Sequence, residues 1–542
     1  MTANKADSSP LKHIFTILTF AAGGMAALLA LLPAAGHDQL WFLLMARRWL
    51  GGAQIYGPII FDSNPPGVLW LSALPIFLGQ LLHLPTTFAA KLLVSLAEAA
   101  SAWLSYRFLR HAWRPLVTYE RWALLFSFIV LFAVVPARDF GQRDQILAFL
   151  VLPYVLAAAV DPREHRLPSL RCAAGVMAAV GICLKPHHAL LVIAVELALL
   201  ILPSATTFPH RLRRLFRPEP LLIALLGAMF LATVHRLTPL YFTFALPVLH
   251  DTYWAIGHLS FGGLALEAIE LCVLAAGTIL LYAITKPRSF LVRLLLIAGA
   301  ASSLAYFLQG TGWYYQQIPA IDLFGAALAL QLLDLARHKE VTVPRWATPA
   351  VAGLCLLALA LTTHFTGYPF TADRAFAIES PDPAFFKDLP PGTPVATLTT
   401  SVDEAMMPIE RYHLTWAQRT NNLWLLPAIL RNETPGAGRP PSRILSPDHL
   451  ANLEALQHRF MVEDLNHWHP RLVLVERCQK ANVHCQVLED RDDDLLAWFL
   501  RDPAFAAIWK NYTYQGSRGA FDAYSLTTST VAISAKPLRP LR

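Results

Sequence analysis

Hydrophobic residues gather along the chain in long runs separated by short basic loops. The runs lie near 14–34, 68–84, 86–109, 121–136, 146–160, 171–184, 188–203, 219–235, 263–284, 290–308, 318–335 and 347–365. Windows such as 14–32 and 88–109 are apolar for about the twenty residues that cross a hydrocarbon core of roughly 30 Å. The pattern predicts a polytopic helical membrane protein.

If all twelve runs crossed, Arg107, Arg110, Arg114 and Arg121 would lie opposite the N-terminus, against the bias of cationic loops toward the cytoplasm. The run at 68–84 is the one to lift out. It opens at Asn64-Pro65-Pro66-Gly67, contains Pro75, and reaches the next run through His83-Leu84-Pro85 alone. Read as a juxtamembrane helix, it leaves eleven spans, the N-terminus inside and the C-terminus outside. Nineteen Lys and Arg then sit in inner loops, against Arg47, Arg48, Arg138, Arg143, Lys185 and Arg236 outside. The stretch 38–50 is too short to span and places Trp41, Leu44, Met45 and Trp49 at helical spacing beside two arginines, as an interfacial helix would. The first outer loop, 36–85, thus carries two juxtamembrane helices.

Past Gly367 the runs stop and a mixed pattern begins. The expected division is a transmembrane module over 1–366 and an extracytoplasmic (periplasmic) α/β domain over 367–542. Candidate strands are 394–398, 472–475 and 523–526, and candidate helices 416–431, 447–465, 493–501 and 503–509. Cys478 and Cys485 lie seven residues apart here, and either pair in an oxidising compartment or remain two thiols.

Composition agrees: 55% of the 542 residues are hydrophobic and 15% charged, against about 25% charged in an average soluble domain. The net charge of +7 divides into +9 before Gly367 and −2 after it. The excess base therefore reports loop topology, and nucleic acid is set aside as a partner.

The polar residues that invite chemistry cluster on the predicted outer side. Asp38 follows the first span and reads either as an N-cap for the helix after it or as a general base for a hydroxyl. Asp144, in Gly141-Gln142-Arg143-Asp144-Gln145, is similarly an N-cap or a partner for Arg143 or for an acceptor. Arg138, Arg143 and Lys185 stand where cations are disfavoured. They either pair with Asp139 and Asp144 or form an anion site with His187 and His188. His37, His187, His188 and Asp38 match no strong zinc spacing, so neither metal nor cofactor is expected. Asp62, Tyr253, Trp254, Trp313, Tyr314 and Tyr315 are interface-belt residues or the lining of a substrate channel. Glu98, Glu196 and Asp322 lie in or near spans with no partner visible in the sequence.

The order of these pieces resembles the GT-C membrane glycosyltransferases that use polyprenyl-phosphate sugars, of the protein O-mannosyltransferase and lipid A aminoarabinose transferase type. Asp38 and Pro65-Pro66 match that family's acidic motif and the opening of its second juxtamembrane helix. Asp144 matches the aspartate that ends its next outer loop, and Lys185 the lysine turn after its fifth span. Weaker likeness lies in Gly312-Trp313-Tyr314-Tyr315-Gln316-Gln317 and in the tail. Gln39 stands where the family commonly has a glutamate, and Gln316 where relatives can have histidine.

The resemblance implies transfer of a hexose or pentose from a polyprenyl-phosphate donor to a lipid, glycan or protein acceptor. It implies inversion, Asp38 as base, and Arg138, Arg143, Lys185 and the histidines at the donor phosphate. A multi-pass protein of a bacterial inner membrane is then expected, with its active face toward the periplasm. A transporter or flippase of a lipid-linked saccharide is the alternative; it predicts inverted repeats and charges near the bilayer midplane, whereas the informative charges here are at the outer boundary.

Overall fold

The computed structural model describes residues 10–31, 36–113, 115–136, 139–161, 167–202, 207–257, 259–285, 289–337, 347–365, 381–401, 403–480, 485 and 487–527. Each of the twelve apolar runs lies in or overlaps a helix. Among the described residues five helices are long and apolar enough to cross a membrane: Pro10–Leu28, Thr86–Ala112, Pro218–Leu237, Phe290–Gln309 and Tyr314–Ala336. A sixth candidate is the pair Phe261–Glu267 and Ile269–Thr285, bent by 84°. The chain divides into two compact units that cut across chain order. One comprises Met1–Pro33, Phe88–Ala232 and Leu259–Ala372, the other Ala34–Thr87, Thr233–His258 and Asp373–Arg542.

The first unit is a helical bundle around Arg143–Ala159, a helix buried on nearly every face. Its neighbour Pro168–Leu184 approaches closely because of Gly181, where an added Cβ would lie 3.2 Å from the Leu147 side chain. Small residues at such crossings let helices pack in lipid without a hydrophobic driving force. The C-terminal end of Arg143–Ala159 is capped by cations: Arg171 donates to Val160 O at 2.8 Å and pairs with Glu219 at 2.5 Å, and Arg214 donates to Ala158 O at 3.2 Å. Arg217 pairs with Glu196, which also accepts from Tyr154 at 2.7 Å. Glu196, without a partner in the sequence, is therefore half of a buried ion pair.

The second unit joins three separate stretches of chain. The expected interfacial helix is present as His37–Leu50. The juxtamembrane run at 68–84 forms two short helices, Gly67–Leu71 and Ala73–Leu82, that meet at Ser72. Pro75 does not make the break, because near the start of a helix a proline interrupts no intrahelical bond.

The tail carries a five-stranded sheet of β1 (Pro394–Leu398), β2 (Thr415–Trp416), β3 (Leu472–Glu476), β4 (Tyr512–Arg518) and β5 (Phe521–Leu526). Its order is β2-β1-β3-β5-β4. β1 runs parallel to β2 and β3; β5 is antiparallel to β3 and β4. The expected helix over 416–431 is a correction: only Leu426–Glu433 is helical. Gln418 prevents the earlier part from coiling. Its side-chain amide accepts from Thr397 N and donates to Thr397 O, both at 2.9 Å, so it pairs with β1 as another strand would. The helix expected over 493–501 shortens to Leu495–Phe499 because Asp494 caps it, accepting from Ala497 N at 2.8 Å. Helix Pro503–Trp509 has the expected bounds, and Cys478 and Cys485 are joined in a disulfide.

Candidate functional site

Within the first unit, several of the predicted residues meet at one corner. The helix Pro168–Leu184 ends at Lys185, a 3-10 turn Pro186–His188 follows, and the next helix begins at Ala189. This turn aims the Lys185 ammonium at Asp144, with Nζ 2.9 Å from Oδ2 and both side chains buried. Asp144 is therefore not an N-cap; Gln142 holds that position, and Asp144 stands in the first turn, where a carboxylate also faces the positive helix end. The Lys185 ammonium lies 5.6 Å from the centroid of the Tyr315 ring, itself 5.8 Å from that of Trp313. Tyr314 is held aside, donating to Val135 O at 3.0 Å. The aromatic turn thus divides its labour: Tyr315 covers the cation and Tyr314 fastens the turn.

His187 feels Lys185, Asp144 and Arg143 together, and its pKa is pushed down to about 4. Burial is the main cause; Lys185 and Arg143 add to it and Asp144 opposes it. The His188 ring is fully buried against that of His187, and neither of its nitrogens has a hydrogen-bond partner among the described residues. At neutral pH the positive charge of this corner accordingly comes from Arg143 and Lys185, with His187 as a neutral hydrogen-bonding group. Arg138 lies outside the described residues.

Asp38, Asp62, Tyr253 and Trp254 belong to the second unit. Asp38 is in the first turn of His37–Leu50 and does not cap it, since Gly36 precedes the helix; His37 Nε2 lies 3.4 Å from its Oδ1. Asp62 is buried and accepts from Trp41 Nε1 at 3.1 Å, from Asn64 N at 3.1 Å and from Asn64 Nδ2 at 2.9 Å. These bonds make Asp62 a fastening for the outer loop. Trp254 donates to Asp251 O at 2.7 Å within the short turn Tyr253–Ala255.

Two features carried no signal in the sequence. Arg48 is buried and donates to Ile59 O at 3.0 Å, to Gln418 O at 2.7 Å and to Trp416 O, with its guanidinium 4.7 Å from the Trp468 ring centroid. Gln145, next to Asp144, is bonded at every polar atom of its side chain. No spacing rule marks either residue, since their partners are backbone groups or side chains far away in sequence.

No protein-family model matches the chain, and no curated protein matches it. Among solved structures it resembles ArnT from Cupriavidus metallidurans in the apo state, with a TM-score of 0.50, 13% identity, and coverage of 94% of this chain and 97% of that one. The same protein bound to undecaprenyl phosphate gives a TM-score of 0.49 at the same identity and coverage. The archaeal oligosaccharyltransferase AglB from Archaeoglobus fulgidus, in complex with an inhibitory peptide and a dolichol-phosphate, gives 0.42 at 13% identity, covering 97% of this chain and 75% of that one. The chain therefore shares the fold of a solved membrane protein structure. In particular, its architecture is that of apo ArnT over nearly the whole length of both chains.

Proposed function

We propose that the protein is a membrane glycosyltransferase that takes a sugar from a polyprenyl-phosphate donor and transfers it, with inversion, to an acceptor on the outer face of a bacterial inner membrane. In this reading the chain crosses eleven times, with its N-terminus cytoplasmic and the 367–542 domain periplasmic. The observation that carries it is the convergence of Lys185, Asp144, Arg143 and His187 beneath Tyr315, on a fold shared with apo ArnT. ArnT itself is described bound to undecaprenyl phosphate, a ligand of the proposed class.

The chemistry follows from the charges. Asp38 accepts the proton of the acceptor nucleophile as that atom attacks the anomeric carbon. The bond from this carbon to the phosphate oxygen breaks, and the electron pair leaves with polyprenyl phosphate. Such a leaving group needs fixed positive charge rather than a proton. Lys185, held beside Asp144 at 2.9 Å, supplies it. Arg143 completes the anion site. Trp313 and Tyr315 line the approach. The sugar is a hexose or pentose and the acceptor a lipid, glycan or protein; no metal is required.

Purified protein given a polyprenyl-phosphate sugar and envelope acceptor is expected to release polyprenyl phosphate. Asp38→Asn is expected to lower turnover at least ~100-fold while keeping donor affinity within a few-fold, as for loss of a general base. An active Asp38→Asn variant would remove Asp38 from the mechanism. Movement of intact donor across vesicles without release of polyprenyl phosphate would favour a flippase.

A further inference from the structure

The helix Thr86–Ala112 carries a buried carboxylate, Glu98, that the reaction above does not use. Its Oε1 accepts from Gln145 Nε2 at 2.7 Å. The same Gln145 nitrogen donates to Phe132 O at 2.6 Å, and Gln145 Oε1 accepts from Gly141 N at 2.5 Å. Phe132 lies in the closing π-turn of its helix, Val130–Val134, and the residue four places on is Pro136, which has no N–H to offer, so the Phe132 carbonyl is available to Gln145. Gly141, at the other end of the knot, has φ +90°, a conformation that glycine adopts without strain. One helical turn beyond Glu98, Ser101 donates to Phe149 O, one turn beyond Gln145. The two helices are thus tied at two successive levels.

The placement of the knot gives it a consequence. Gln145 immediately follows Asp144, and on a helix adjacent side chains diverge by about 100°. Fixing Gln145 against Glu98 and Phe132 fixes the rotation of the first turn, and with it the direction in which Asp144 points. That direction is toward Lys185. The bond to Gly141 N also fixes the loop that enters the helix, where Arg143 begins its first turn.

We propose that Glu98 is a positioning residue for the donor-phosphate corner, acting through Gln145 to hold Asp144 and hence the Lys185 ammonium in register with the leaving group. This rests on the reading of Lys185 as a phosphate ligand given above. What Glu98 must supply is a hydrogen-bond acceptor at a fixed reach, not a negative charge.

Three substitutions separate this role from mere support of the fold. Glu98→Gln keeps the acceptor oxygen at the same reach and is expected to retain kcat within about threefold of wild type. Glu98→Asp keeps the charge but withdraws the oxygen by one methylene, and Glu98→Leu removes it; both are expected to lower kcat ten- to a hundredfold with KM for the donor changed less than threefold. Each is combined with Lys185→Met in a double-mutant cycle. If Glu98 acts through Lys185, Glu98→Asp costs less than twofold once Lys185 is gone; a purely structural role would multiply the two losses. The Asp variant, which keeps a polar group in the buried site, carries the test if the Leu variant does not fold.

Full activity in Glu98→Asp, loss of activity in Glu98→Gln equal to that in Glu98→Asp, or multiplicative losses in the cycle would each overturn the proposal. Full activity in Lys185→Met alone would instead overturn the phosphate-site reading on which it rests.

Discussion

Asp464 shows how burial sets the behaviour of one side chain. It accepts from the backbone N–H of Arg419 at 3.0 Å and from that residue's Nε at 2.8 Å, yet its pKa is raised to about 6. Burial outweighs the pull of Arg419 and of Arg48. Because the folded value lies above the ordinary carboxylate value of 3.8, the folded state holds the proton more tightly, and this group's stabilising contribution is lost as pH rises from about 4 through 6. Thermal unfolding of the wild type and of Asp464→Asn between pH 4 and 7 checks this: wild type is expected to lose roughly 3 kcal/mol relative to the variant across that window. Equal pH profiles would show that the arginines compensate the carboxylate fully.

At the same scale the corner residues divide by how they are held. Asp144 and Lys185 could be singled out in the sequence because each is a charge at the edge of an apolar run. Glu98 and Gln145 could not be joined there, since forty-seven residues separate them.

Among elements, the interfacial helix His37–Leu50 does more than lie against a membrane. Arg48 projects from it to three carbonyls, those of Ile59, Trp416 and Gln418, two of them in the tail. Arg48→Met keeps most of the stem but strands those acceptors, and unpaired buried groups cost about 1–3 kcal/mol each. The expected result is a fall of roughly 3–5 kcal/mol in the stability of the second unit, with faster proteolysis around 416–420. Arg48→Lys is expected to rescue little, because an ammonium lacks the planar fork. Wild-type protease resistance in Arg48→Met would contradict this account.

The elements also show what sequence patterning can and cannot carry. β1 and β3 were legible as short apolar runs, and helix Pro503–Trp509 by its Asp-Pro start. β2 was not, since two residues, Thr415 and Trp416, make no pattern and owe their conformation to pairing with β1. β4 has exposed residues along most of its length and offers no apolar alternation; its partner β5 defines it.

At the scale of the whole molecule, three stretches come together: Ala34–Thr87 with the first outer loop, Thr233–His258, and the tail from Asp373. All three pack into a single compact unit, although long stretches of chain separate them. Asp251, on the middle segment, pairs with Arg443 of the tail at 3.0 Å, and Phe61 of the first loop stacks on Trp424 of the tail with centroids 5.6 Å apart. This grouping depends on long-range contacts that no window of sequence displays, whereas the apolarity of the helices was readable from hydropathy alone.

The central claim is that the Lys185–Asp144 corner receives the phosphate of a polyprenyl-phosphate donor. The direct measurement is a cryo-EM structure of the protein with a non-hydrolysable polyprenyl-phosphate sugar. The phosphate is expected within hydrogen-bonding distance of Lys185 and Arg143. A phosphate seated away from Lys185 would contradict the account.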